Sequence, residues 1–192
     1  MKFKSALAAS LLLAGTAQAA VIMNMLEVGS DVIISGSGSI NITGFSSTLA
    51  PPNSGTSFIP SQGVVSNRTL VDWRQTYNGV GLTGPTNFGA GGNTIGATPT
   101  GDIFGISRSS DTITVADGYQ SNDPLSFSMT YSNTTIAGLG ADIGSYVWTL
   151  SNNDTVTLNV GSPPPAIPTP LPLTLLLTGG LVGLSLRKRL QR

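Results

Sequence analysis

The chain has 192 residues, a formal charge of zero, and neither cysteine nor histidine. Without cysteine there is no disulfide-stapled scaffold, so the body must be held by its core alone. Without histidine there is no Ser-His-Asp or Cys-His nucleophile, and the commonest ligand for zinc or copper is missing.

The zero hides a partition. Lys2 and Lys4 lie at one end, and Arg187, Lys188, Arg189 and Arg192 at the other. Between them, three arginines (Arg68, Arg74, Arg108) face all nine acids, which gives residues 20–160 a formal charge of −6. A body of that sign is repelled by phosphate backbones, and no nucleic-acid partner is expected.

The first nineteen residues read as a secretory signal. Lys2 and Lys4 supply the positive region, Ala6 to Gly15 the apolar run, and Ala17-Gln18-Ala19 the small-x-small cleavage site. Cleavage after Ala19 would start the mature protein at Ala20. The apolar run is too short to span a bilayer.

From 20 to 160 the pattern is that of an all-β domain, an antiparallel, jelly-roll-like β-sandwich. Val32 and Ile34, and then Ile40 and Ile42, fall on alternate positions. Leu125, Phe127, Met129 and Tyr131 predict the clearest strand; Tyr146, Trp148 and Leu150 predict another, and Val156, Leu158 and Val160 a third. Turn residues separate them, as at Gly29-Ser30-Asp31, Asp117-Gly118 and Asn152-Asn153-Asp154. A short helical turn is allowed over Val71–Tyr77. Asn78 to Gly101 is glycine-rich and predicts a long surface loop or irregular hairpin.

Few residues in this body suggest chemistry. Gly79-Val80-Gly81-Leu82-Thr83-Gly84 matches the letters of a dinucleotide fingerprint, but Pro85 and further glycines follow where a helix would be needed, so a loop is expected. Asp117 and Asp123 are weak calcium candidates: they sit in Asn- and Asp-rich loops, but without the D-x-D-x-D-G spacing, and no metal or other cofactor is assigned. Trp73 and Tyr77, four apart, are the candidates for stacking on a glycan, whereas Trp148 belongs to the core. No carboxylate pair stands out for glycoside hydrolysis, and no enzyme activity is expected. A calcium-assisted carbohydrate-binding module is the alternative reading, and a glycan hydrolase the third.

Residues 161–169 form a proline-rich spacer, extended and semi-rigid. The ending, 170–192, has three parts. Pro170-Leu171-Pro172 comes first, then an apolar helix over 173–186, then a basic tip at 187–192. Leu171 to Leu186 holds eight leucines and no charge. Its sixteen residues span about 24 Å as a helix, short of the ~30 Å hydrocarbon core. Arg187, Lys188 and Arg189 would stay on the cytoplasmic side and fix the orientation of this single transmembrane helix.

Proline motif, short apolar helix and basic cluster in this order resemble the sorting signal of PEP-CTERM proteins, the substrates of exosortases. The closer match is the Val-Pro-Leu-Pro-Ala variant, whose Pro-Leu-Pro centre is kept at 170–172, with Thr169 and Leu173 departing at the flanks. Gly179, Gly180 and Gly183 fit the family's glycine-studded segment. Val28–Phe45 and Asp123–Leu150 are more loosely similar to ectodomains of this group. The resemblance implies a precursor held transiently in the inner membrane, cleavage near the proline motif by the exosortase, and delivery to the outer surface or extracellular matrix. It also implies an association with exopolysaccharide or biofilm in Gram-negative bacteria. In that setting the Asn-x-Ser/Thr sequences at Asn41, Asn67, Asn133 and Asn153 are strand and turn residues rather than glycosylation sites.

Overall fold

The computed structural model describes residues 18–52 and 55–161. Ala17, the spacer beyond Gly161 and the whole C-terminal signal lie outside the described residues. Twelve strands run in order: β1 (Ala20–Val28), β2 (Asp31–Gly38), β3 (Ser46–Ala50), β4 (Ser57–Ile59), β5 (Val64–Asn67), β6 (Arg74–Asn78), β7 (Thr98–Gly101), β8 (Phe104–Ser107), β9 (Thr112–Ala116), β10 (Leu125–Tyr131), β11 (Gly144–Thr149) and β12 (Thr155–Val160). A 3-10 turn, Pro60–Gln62, precedes β5. The all-β expectation is met.

The strands form two six-stranded sheets, ordered β11-β12-β1-β2-β10-β7 and β3-β6-β9-β8-β5-β4. Every neighbouring pair is antiparallel except β1–β12, which is parallel. The expectation of a wholly antiparallel body is corrected at that one pair. The first and last strands of the body lie side by side in the middle of the first sheet, so its pairing completes only when the chain is present to Val160.

Alternation explains which residues make strands. In β10, Leu125, Phe127, Met129 and Tyr131 are buried while Ser126 is exposed and Ser128 and Thr130 half-buried. On β1, Val21, Met23 and Met25 turn inward, and on β9 Ile113 and Val115 do. Residues of both sheets join one hydrophobic cluster, each large side chain contributing about 1.5–3 kcal/mol by leaving water. The alternation predicted beyond β2 stops earlier than expected. The strand ends at Gly38, and Ile40 is buried from a loop held by the Tyr119 hydroxyl, which accepts from the Ile40 N–H at 3.0 Å.

The glycine-rich segment before β7 departs from the surface-loop expectation. Val80, Leu82 and Phe88 are buried in the common core. Its glycines allow backbone to lie on backbone: a Cβ at Gly84 would sit 2.3 Å from the Val147 carbonyl oxygen, and one at Gly89 would sit 2.1 Å from that of Gly140. The segment also guards two sheet edges. Thr83 exchanges backbone hydrogen bonds with Thr149 at the end of β11, and Thr94 does so with Phe58 on β4.

Tyr131 carries a polar atom into the aromatic part of the core. Its ring centroid is 5.9 Å from that of Phe58, and its hydroxyl is buried without a hydrogen-bond partner among the described residues. Burial pushes this phenol up to about 12; the nearby Thr56 hydroxyl opposes that rise but is outweighed, and does not reach hydrogen-bonding geometry. The unfolded phenol ionises near pH 10, so the folded state holds its proton longer. Stability is therefore at its full value below pH 10 and falls by about 2–3 kcal/mol as the pH climbs through the folded value, because the buried phenolate is penalised. Tyr131→Phe should therefore flatten the alkaline fall in stability between about pH 10 and 12. At neutral pH it should be neutral or stabilising by up to ~1 kcal/mol, because no hydrogen bond is lost. Urea midpoints at pH 7 and pH 11 check both.

Candidate functional site

Trp73 and Tyr77 do not form a common platform. The helical turn allowed over Val71–Tyr77 is absent: Arg74–Asn78 is strand β6, paired with β3 and β9. Pairing on both sides outweighs a weak local preference, and it turns Tyr77 into the core, at 9% exposure. Trp73, just before the strand, is 50% exposed. It lines a groove of about 400 Å³ together with Asp72, Asp102 and Asp117. Trp148 is fully buried, and its indole N–H donates to the Pro85 carbonyl at 2.7 Å.

The carboxylates are chiefly loop fasteners. Glu27, Asp31, Asp102, Asp111, Asp123 and Asp154 each accept a backbone N–H, from Ile136, Asn133, Ser126, Leu82, Gln120 and Asn41 respectively. The two weak calcium candidates each hold a hydrogen bond of their own. Asp123 holds the Gln120 N–H at 3.3 Å, and Asp117 accepts from the Gln75 amide at 3.1 Å. Among the described residues, no three side chains of the metal-ligating types come together.

The glycine fingerprint has an occupant of its own. Gly79 and Gly81 take positive φ, at 62° and 69°, which turns successive N–H groups toward one point. Asp111 fills it. Its carboxylate accepts from Gly81 at 3.2 Å and Leu82 at 2.6 Å, and its carbonyl accepts from Gly79 at 3.0 Å. The nest that could cradle a phosphate thus closes the hairpin end of β9 onto the glycine-rich segment.

A second groove was not legible in the sequence. It is a recess of about 300 Å³ on the outer face of the second sheet, lined by Arg68, Arg74, Ser66, Thr76, Thr114 and Gly105 among others. Strand register builds the floor: Thr76 lies opposite Thr114, Thr114 opposite Gly105, and Gly105 opposite Ser66. The Thr76 and Thr114 hydroxyls are 3.3 Å apart. Arg74 is 6% exposed and donates to the Pro51 carbonyl at 2.8 Å. Burial, and then the positive charge of Arg74, holds the Arg68 guanidinium below its ordinary pKa. The only sequence signal was the polar alternation Arg74, Thr76, Asn78, which says nothing about β5 and β8.

Comparison with family models, with curated proteins and with solved structures gives no match.

Proposed function

We propose that this is an exported, non-catalytic surface or matrix protein, a jelly-roll-like β-sandwich ectodomain delivered by a removable C-terminal address. The observation that carries the reading is the order of parts in 169–192: proline motif, short uncharged leucine-rich segment, basic tip. In this reading the apolar helix halts translocation, Arg187, Lys188 and Arg189 fix its orientation, and Pro170-Leu171-Pro172 presents extended backbone to an exosortase. The inner membrane is a transient partner and exopolysaccharide the final surroundings.

The body suits such an attachment. The spacer leaves from Gly161, directly after β12, which is paired on both sides by β1 and β11. The Gly161 N–H donates to the Met25 carbonyl at 2.9 Å, so a pull on the tail is met by a central strand. Signal cleavage after Ala19 fits the other end. It would leave β1 whole and remove Ala19, a buried residue whose carbonyl accepts from the Thr155 N–H at 3.2 Å.

Replacing Pro170 and Pro172 together with alanine should leave unprocessed chain in the inner-membrane fraction, with little or none released. Fractionation with intact-mass measurement reads this. Unchanged processing and release would overturn the sorting reading. A carbohydrate-binding role for the body is the second reading, favoured by the exposed indole of Trp73 at its groove.

A further inference from the structure

We propose that the recessed outer face of the second sheet binds an acidic saccharide, its carboxylate or sulfate held by Arg68 and Arg74 and its hydroxyls by the Ser/Thr floor. The saccharide half rests on the surface-matrix reading; the oxyanion half rests on the groove alone.

Charge placement is the first argument. The body holds three arginines and nine acids, yet two of the arginines line this one recess and none of the acids does. Two like charges are thus brought to a recess that no carboxylate of the chain lines.

Arg68 itself is the second. Its Nε, like that of Arg108, is buried without a hydrogen-bond partner among the described residues, but of these two arginines only Arg68 lines the recess. All nine acids are among the described residues, and none forms an ion pair with Arg68. A partly buried guanidinium left without a partner is a liability to the fold; its planar fork suits a carboxylate or sulfate.

The floor is the third. Gly105 stands in the interior of β8 with neighbours on both sides, where a glycine weakens a strand and marks a close approach. A Cβ there would lie 2.7 Å from the Ser66 hydroxyl, so its absence keeps the middle of the recess open. Around it, Ser66, Thr76, Thr112 and Thr114 offer hydroxyls that can both donate and accept, as a polyhydroxylated ligand requires. Among the described residues no aromatic side chain lines the recess, so base stacking has no platform there, and the body's charge of −6 disfavours a nucleic acid.

The test uses the full chain purified in detergent and titrated with octagalacturonate, neutral maltooctaose and sodium sulfate. Octagalacturonate should bind at least tenfold more tightly than maltooctaose, and weaken as salt is raised. Arg68→Gln should weaken it about tenfold or more, the loss of a charge-assisted contact. Arg108→Gln, an equal change in net charge outside the recess, and Trp73→Ala should each leave binding within twofold. Arg68→Gln should also melt at or above the wild-type temperature without ligand, which separates lost binding from lost folding. No binding of any anion, undiminished binding in Arg68→Gln, or an equal loss in Arg108→Gln would overturn the proposal. Arg68-dependent binding of sulfate without octagalacturonate would overturn the saccharide half and leave a site for free anions. Loss in Trp73→Ala alone would move the saccharide to the other groove. Processing of the tail is read in a different assay, so either proposal can fail without the other.

Discussion

Trp148→Ala is expected to cost about 3–5 kcal/mol of folding stability, the range for deleting a fully buried large aromatic. The side chain has no exposure, and its ring packs edge-on against Phe88 at 6.1 Å. Its indole N–H is also the hydrogen bond that fastens the Pro85 carbonyl of the glycine-rich segment to β11. The substitution therefore leaves a cavity and frees the segment that carries Phe88 into the core. A domain of this size holds roughly 5–15 kcal/mol in all, so the loss is a large share of it. Trp148→Phe, which keeps a ring and drops the donor, should cost less than half as much. Urea unfolding of the two variants beside the wild type gives the comparison. A cost below about 1 kcal/mol for alanine would mean the indole is not in the core.

Gly38→Ala is the second large effect, and here the cause is backbone rather than packing. Gly38 ends β2 at φ +141°, a region that side chains avoid, with Val21 of β1 on one side and Leu125 of β10 on the other. An added Cβ would stand 1.9 Å from the Ala20 carbonyl oxygen and 2.8 Å from the Val21 Cα. Neither atom can give way, since both belong to β1, which is hydrogen-bonded on both sides within the sheet. A cost of about 3 kcal/mol or more follows, together with low recovery of folded protein. Gly29→Ala is the contrast. Its φ is +64° and an added Cβ would meet nothing within 4 Å, so only the left-handed conformation is penalised, by about 1–2 kcal/mol. Equal thermal shifts in the two variants would contradict this account.

Strands with one face in the core and one toward water were open to sequence reading. β10 and β12 follow their predicted alternation, and Trp148 takes the core position expected of it. β1 was harder, since AVIMNMLEV has apolar residues on both faces; Ile22 is 41% exposed while Val21 and Met23 are fully buried. The glycine-rich segment misled for a different reason. Glycine predicts a surface loop, whereas in this chain it permits contact between one backbone and another, and the contact partners lie roughly 50–70 residues further on. Tyr77 misled because a spacing of four suits a helix face, and only pairing with β3 and β9 shows that the segment is extended.

By itself the sequence determined the all-β class, the division between acidic body and basic ends, and the order of parts in the tail that supports the sorting proposal. Each is a local property, carried by residue type and by the period of two that a half-buried strand imposes. Only the tertiary structure decided that Asp111 fills the nest at Gly81 and Leu82, that Tyr77 turns inward, and that Arg68 and Arg74 line one recess floored by three other strands. Those outcomes depend on which strands pair and in what register, and pairing is chosen by the burial of the whole core. No single segment contains that sum, so none could announce the groove.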